Sequence, residues 1–141
     1  MSEADCIFCK IIRGDIPSTA IYSTDRVFAF LDIAPVNEGH ALVVPRAHCQ
    51  TMFDLPPEIG EELLRVLQIV GRAVMRATQA DGVNLGVNNY AAAGQLVGHA
   101  HFHLIPRFVG DGLKLWPQKP YPNPEKMQNL AVAIKKHIDQ A

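Results

Sequence analysis

The chain has 141 residues, of which 48% are hydrophobic and 19% charged, enough for one ordinary core and outside the range of disordered chains. A formal net charge of −1 supplies no long-range field, so neither nucleic acid nor an anionic membrane is expected as a partner, and an anionic ligand must be held by local groups. No run approaches the roughly 20 apolar residues of a membrane span, and Met1–Asp5 lacks the basic and apolar regions of a signal peptide, so a cytoplasmic protein is expected.

In chain order, residues 6–13 read as a short apolar turn closed by Gly14, Asp15 and Pro17. Within it Cys6 and Cys9 form a C-x-x-C pair. An odd total of 3 cysteines argues against a closed disulfide framework. A redox motif would normally follow a strand and open a helix, and no strand precedes Cys6. A metal site is therefore the preferred reading, with uncommitted thiols as the alternative, and Cys49 reads as a small buried hydrophobe. Residues 20–23 and 27–32 flank Thr24-Asp25-Arg26 as a hairpin. After a turn-rich stretch, residues 40–45 form a third strand, in which the adjacent Val43 and Val44 suggest burial on both faces.

The clearest helix spans 57–79, where Ile59, Leu63, Val66, Leu67, Val70, Val74 and Ala77 recur at helical spacing. Pro57 and the early glutamates suit its start, Arg72 and Arg76 suit its end, and Asp81-Gly82 stops it. Strands at 83–89 and 99–107 follow, joined through the small-residue loop 91–94. A Pro- and Gly-rich segment around Trp116 leads to a short helix with Met127, Leu130, Ile134 and Ile138 on one face. The expected architecture is α+β: a five-stranded antiparallel sheet, one long helix and a short C-terminal helix. It forms a single domain over 1–141 whose segment from about 109 is a tail plus helix.

His99, His101 and His103 alternate with Ala100, Phe102 and Leu104. On a strand with period two, the imidazoles would share one face and the apolar residues the other. Such a row suits either metal binding or phosphate chemistry.

These residues resemble the histidine triad family, whose signature is His-x-His-x-His followed by apolar residues. The resemblance extends in order through Cys6–Ile12, Ile16-Pro17, Phe28–Ile33, Gly39–His48 and Gly94-Gln95, covering about residues 6–108, and lies nearest the bacterial nucleotide-binding branch. It implies that His101 is the nucleophile, attacking an α-phosphorus to form a nucleotidyl-histidine that water hydrolyses. It also implies that the other ring nitrogen of His101 donates to the carbonyl of His99. By the same resemblance His103 donates to phosphate oxygens, and His40 helps position the phosphate or the nucleophile.

Cys6, Cys9, His48 and His99 are implied as a structural zinc site, four ligands with no open position; a metal shared by His99 and His101 is the alternative. Asp32 would accept from the ribose hydroxyls and Ile33 would pack on the base, with Phe8, Ile11 and Ile16 as further walls. Asn88 and Gln95 would face the α-phosphate and leaving group. Two positions depart from the family pattern: Leu96 stands where some members carry a serine, and Gly98 replaces a bulky residue. The implied activity is cleavage of nucleoside monophosphate derivatives, purine phosphoramidates or acyl-nucleotides, by a homodimer with joined sheets. The alternatives are hydrolysis or phosphorolysis of dinucleoside polyphosphates, or nucleotide binding without catalysis.

Overall fold

A computed structural model describes residues 2–138 and 140. The chain divides into two compact units, Met1–Asp111 and Gly112–Ala141. The first contains helix α1 (Ile7–Arg13), strands β1 (Ala20–Ser23), β2 (Val27–Leu31) and β3 (Ala41–Pro45), helix α2 (Gly60–Thr78), and strands β4 (Gly82–Val87) and β5 (Phe102–Arg107). The second contains the tail and helix α3 (Pro124–Ile138), on which Met127, Leu130, Ile134 and Ile138 are exposed. No helix among the described residues is long and apolar enough to cross a membrane.

The five strands form one sheet in the order β1-β2-β3-β5-β4, antiparallel at every pairing, as the α+β reading expects. The centre is β3, and all its residues are buried because both faces are covered. Ala41 and Val43 pack with Val27, Ala29 and Leu104 against the α2 stripe of Ile59, Leu63, Val66, Leu67, Val70 and Val74. On the opposite face Leu42 and Val44 pack with Phe30 against Cys6, Phe8 and Cys9. Each large apolar side chain so buried contributes about 1.5–3 kcal/mol, and this two-sided packing fixes β3 as the frame of the molecule.

Three local expectations are corrected. Within residues 6–13, expected to be a turn, Ile7–Arg13 form helix α1, ended by left-handed Gly14, whose N–H reaches the Ile11 carbonyl. A helix this short is marginal alone, so it is the burial of Phe8 and Cys9 that holds it. The long helix opens with a separate tight turn at Pro57–Ile59 and ends at Thr78. Gln79 takes the left-handed capping conformation (φ 57°), ahead of the expected stop at Asp81-Gly82. Finally, β5 begins at Phe102, so His99, Ala100 and His101 lie outside the ladder.

Candidate functional site

The late start of β5 leaves two histidines of the row ahead of the ladder. Only His103 stands on the ladder, directly opposite Leu42 on β3 and Gly86 on β4, and so on the α1 face of the sheet. Upstream, the Ala100 N–H leaves the ladder to donate to the Cys49 carbonyl at 2.7 Å. The Pro45 carbonyl takes up the ring of His99 at 2.8 Å. The three imidazoles nevertheless lie on the α1 side of the sheet, as the alternation predicts: His99 against Cys6 and Cys9, His101 against Phe8, and His103 opposite Leu42, while Phe102 and Leu104 pack towards α2. His99 is fully buried, His101 is 6% exposed, and His103 is half-buried.

His101 and His103, with ring centroids 4.9 Å apart, open onto a cavity of about 500 Å³ between α1 and the sheet. Phe8, Ile11, Ile16, Asp32, Ile33, His40, Asn88 and Leu96 also line it. Gln95 and His99 do not. The Gln95 carboxamide, expected near the leaving group, is spent on its own loop: its Oε1 accepts from the Tyr90 N–H at 2.7 Å, and its Nε2 donates to the carbonyls of Gln50 (2.6 Å) and Val97 (2.9 Å). Asn88 and its neighbour divide their work: Asn88 faces the cavity, while the side chain of Asn89 accepts from the Met52 N–H. Ile33 and Leu96 are almost wholly exposed at the rim.

Backbone groups fix the protons of these rings. A carbonyl only accepts, so His101 Nδ1, 2.7 Å from the His99 carbonyl, carries the hydrogen, and in the neutral ring the lone pair falls on Nε2. The Val36 N–H donates to His40 Nδ1 at 3.2 Å, which puts the His40 hydrogen on Nε2. That hydrogen points to His103 Nδ1 at 2.9 Å, so His103 carries its own hydrogen on Nε2. The result is one lone pair and one donor side by side. Burial, then the neighbouring His101 and His40, hold His103 down to about 4, and burial lowers His40 against the opposing pull of Asp32. Asp32 lies 3.8 Å from His40 Nδ1, and its other oxygen accepts from the Ala34 N–H in a local turn.

A second cluster lies behind this one. Cys6, Cys9, His48 and His99 bring one ligand atom each to within 4.8 Å of one another. His99 Nε2 donates to Pro45, so Nδ1 is unprotonated and faces Cys6 Sγ and Cys9 Sγ, each at 3.5 Å. His48 Nδ1 lies 3.4 Å from Cys9 Sγ. Tetrahedral zinc with ordinary Zn–S and Zn–N lengths requires S···N separations of about 3.5 Å, so the donor set fits a four-coordinate metal. Burial, then Cys6, pushes the Cys9 thiol up to about 11, so a bound cation must displace its proton. Burial also raises Cys49, which stands apart from this cluster.

The HIT domain family model matches residues 13–110. The chain belongs to the HIT family. An adenosine 5'-monophosphoramidase, hnt1 of Schizosaccharomyces pombe, is 39% identical over 135 residues, covering 94% of this chain and 98% of its own. The crystal structure of SMU.412c from Streptococcus mutans UA159 superposes with a TM-score of 0.90 at 40% identity, over 97% of this chain and 87% of that one. A Zn-bound histidine triad family protein from Mycobacterium smegmatis gives a TM-score of 0.75 at 35% identity, with 99% of each chain covered.

Within this HIT chain the matched segment holds His48 and His99 but begins after Cys6 and Cys9, so the thiol half of the cluster lies outside it. Sequence reasoning did not find the backbone groups that set the tautomers, Val36 N–H and the carbonyls of Pro45 and His99, apart from the last, which the resemblance implied. Every non-proline residue has an N–H and every residue a carbonyl, so nothing in a sequence marks which of them will face an imidazole.

Proposed function

We propose that this HIT protein hydrolyses nucleoside monophosphate derivatives, purine phosphoramidates or acyl-nucleotides, at the α-phosphorus through His101. The observation that carries the reading is the hydrogen bond from His101 Nδ1 to the His99 carbonyl, which fixes the tautomer of the neutral ring so that its lone pair falls on Nε2, beside the cavity. Nε2 forms a bond to phosphorus while the bond to the leaving group breaks, giving a nucleotidyl-histidine. Water then forms the new P–O bond and releases the imidazole. The Nε2 hydrogen of His103, aimed by His40, donates to non-bridging oxygens whose charge builds in the transition state. Asp32 accepts from the ribose hydroxyls, and Phe8, Ile11, Ile16 and Ile33 enclose the base. Asn88 reaches the phosphate side.

The name of the Schizosaccharomyces pombe relative supports the phosphoramidate reading. Cys6, Cys9, His48 and His99 would hold structural zinc, a reading supported by the donor spacing and by the Zn-bound Mycobacterium smegmatis neighbour. Zinc there would cross-link α1 to the segment that carries His101. The free thiols suit a reducing cytoplasm, and the working form is read as a homodimer. The deciding experiment replaces His101 with Gly and follows adenosine 5'-phosphoramidate. Turnover should fall by about four orders of magnitude or more while AMP still binds. Retained turnover would refute the mechanism.

A further inference from the structure

His99 faces two ways. Its ring belongs to the thiol–imidazole cluster, and its carbonyl holds the Nδ1 hydrogen of His101 at 2.7 Å. A second connection runs through α1. Phe8 lies between Cys6 and Cys9 in the chain and is 7% exposed. Its ring meets His101 edge-on with centroids 5.1 Å apart, and meets His99 at 6.0 Å. Phe30 backs it at 5.5 Å, so Phe8 has little freedom to move unless α1 moves. Whatever displaces the two sulfurs therefore reaches the nucleophile by a backbone hydrogen bond and by a packed ring.

We propose that the cluster is a positioning device for His101, acting through Phe8 and the His99 backbone, and that peroxide oxidation of Cys6 and Cys9 releases the nucleophile from its working geometry while the nucleotide cavity stays open. This rests on the reading of His101 given above. In the oxidative step the two thiolates lose two electrons and form one S–S bond. The peroxide O–O bond breaks, and its oxygens leave as water or hydroxide. A bound zinc loses both sulfur ligands. The sulfurs, now within 4.8 Å of each other, must close to about 2.05 Å, by rotation of both side chains and tightening of the first turn of α1, which carries Phe8. A shift of this kind is costly because displacing a reacting group by ~1 Å can cost about a hundredfold in rate.

The test compares three states of the full chain: zinc-loaded and reduced, chelator-stripped and reduced, and peroxide-oxidised. Imidazole ¹H–¹⁵N NMR without substrate reads the His101 tautomer directly. The loaded protein should show a single Nδ1–H form, and the stripped and oxidised proteins a mixture. Peptide mass mapping should place the disulfide on Cys6 and Cys9 with Cys49 left free. Oxidised protein should bind AMP within about threefold of the loaded form but turn over at least tenfold more slowly, a barrier change of about 1.4 kcal/mol. Reductant plus zinc should restore it.

In the loaded state, Phe8→Leu should lower kcat at least tenfold, over and above any change in KM from the altered base wall, and should mix the His101 tautomer in the substrate-free protein; Phe8→Tyr should recover most of the loss. An unchanged His101 tautomer on oxidation or zinc removal overturns the proposal. So does a loss of AMP binding on oxidation, or a wild-type kcat in Phe8→Leu. The NMR arm needs no turnover, so a wrong substrate assignment would leave it standing.

Discussion

His103 makes the stability of the first unit depend on pH. Its folded value is held down to about 4, from an ordinary value of 6.5, by burial and by its histidine neighbours. Because the folded value is the lower one, the unfolded chain takes up the proton first. The stabilisation is complete above pH 6.5 and is lost as pH falls from there towards 4. At pH 5 the unfolded imidazole is almost fully protonated and the folded one is not, which costs about 2 kcal/mol relative to pH 7.5. His103 is half-buried, and solvent screening trims this to between about 1 and 2 kcal/mol, a 5- to 30-fold change in the folding constant. His40 and His99 are shifted in the same direction.

The assay is urea unfolding followed by far-ultraviolet circular dichroism at pH 7.5 and 5.0, on the wild type and on His103→Asn. Losses from His99 and the thiol cluster, which do not contact His103, are common to both proteins and cancel in the difference, and the Asn carboxamide leaves His40 a hydrogen-bond acceptor. The wild type should lose about 1–2 kcal/mol more than the variant over this interval. Equal losses in the two proteins, or a larger loss in the variant, would refute the argument that burial of a neutral His103 sets its titration.

Zinc binding should release the Cys9 proton at neutral pH, because that thiol is pushed up to about 11. Calorimetry in two buffers of different ionisation enthalpy measures the release, and its absence would exclude the thiolate assignment. Val43→Ala removes two methyl groups from a side chain with no exposed surface and should cost about 2–3 kcal/mol in urea unfolding. Gly39→Ala should be destabilising by about 1–3 kcal/mol, because its φ is +95° and a Cβ there would lie 2.6 Å from Thr78 Cγ2. The same strain lies next to His40, so His40 and His103 imidazole resonances should move as well, as two-dimensional NMR can show.

Periodicity in the sequence was enough to place the sheet and its long helix. The stripe from Ile59 to Val74 packs as its spacing requires, and Val43 and Val44 are buried on opposite faces of β3. These are local signals, because helix and strand repeats depend on backbone angles that successive residues share. The resemblance brought His40, His101, His103 and Asp32 together on paper, and the fold brings them to one cavity. What the sequence misjudged was where the strand through His99–His103 begins. Strict alternation implied one face, and the three rings do share the α1 side, yet the ladder starts at Phe102 because distant partners, the carbonyls of Pro45 and Cys49, claim His99 and Ala100. Helix α1 likewise exists through burial against β2 and β3, which its 7 residues do not announce. Residue types and their order thus determined which groups were available for chemistry. Only the tertiary structure decided which imidazole nitrogen carries a hydrogen, since that depends on backbone groups brought near by the fold and carried by residues of every type.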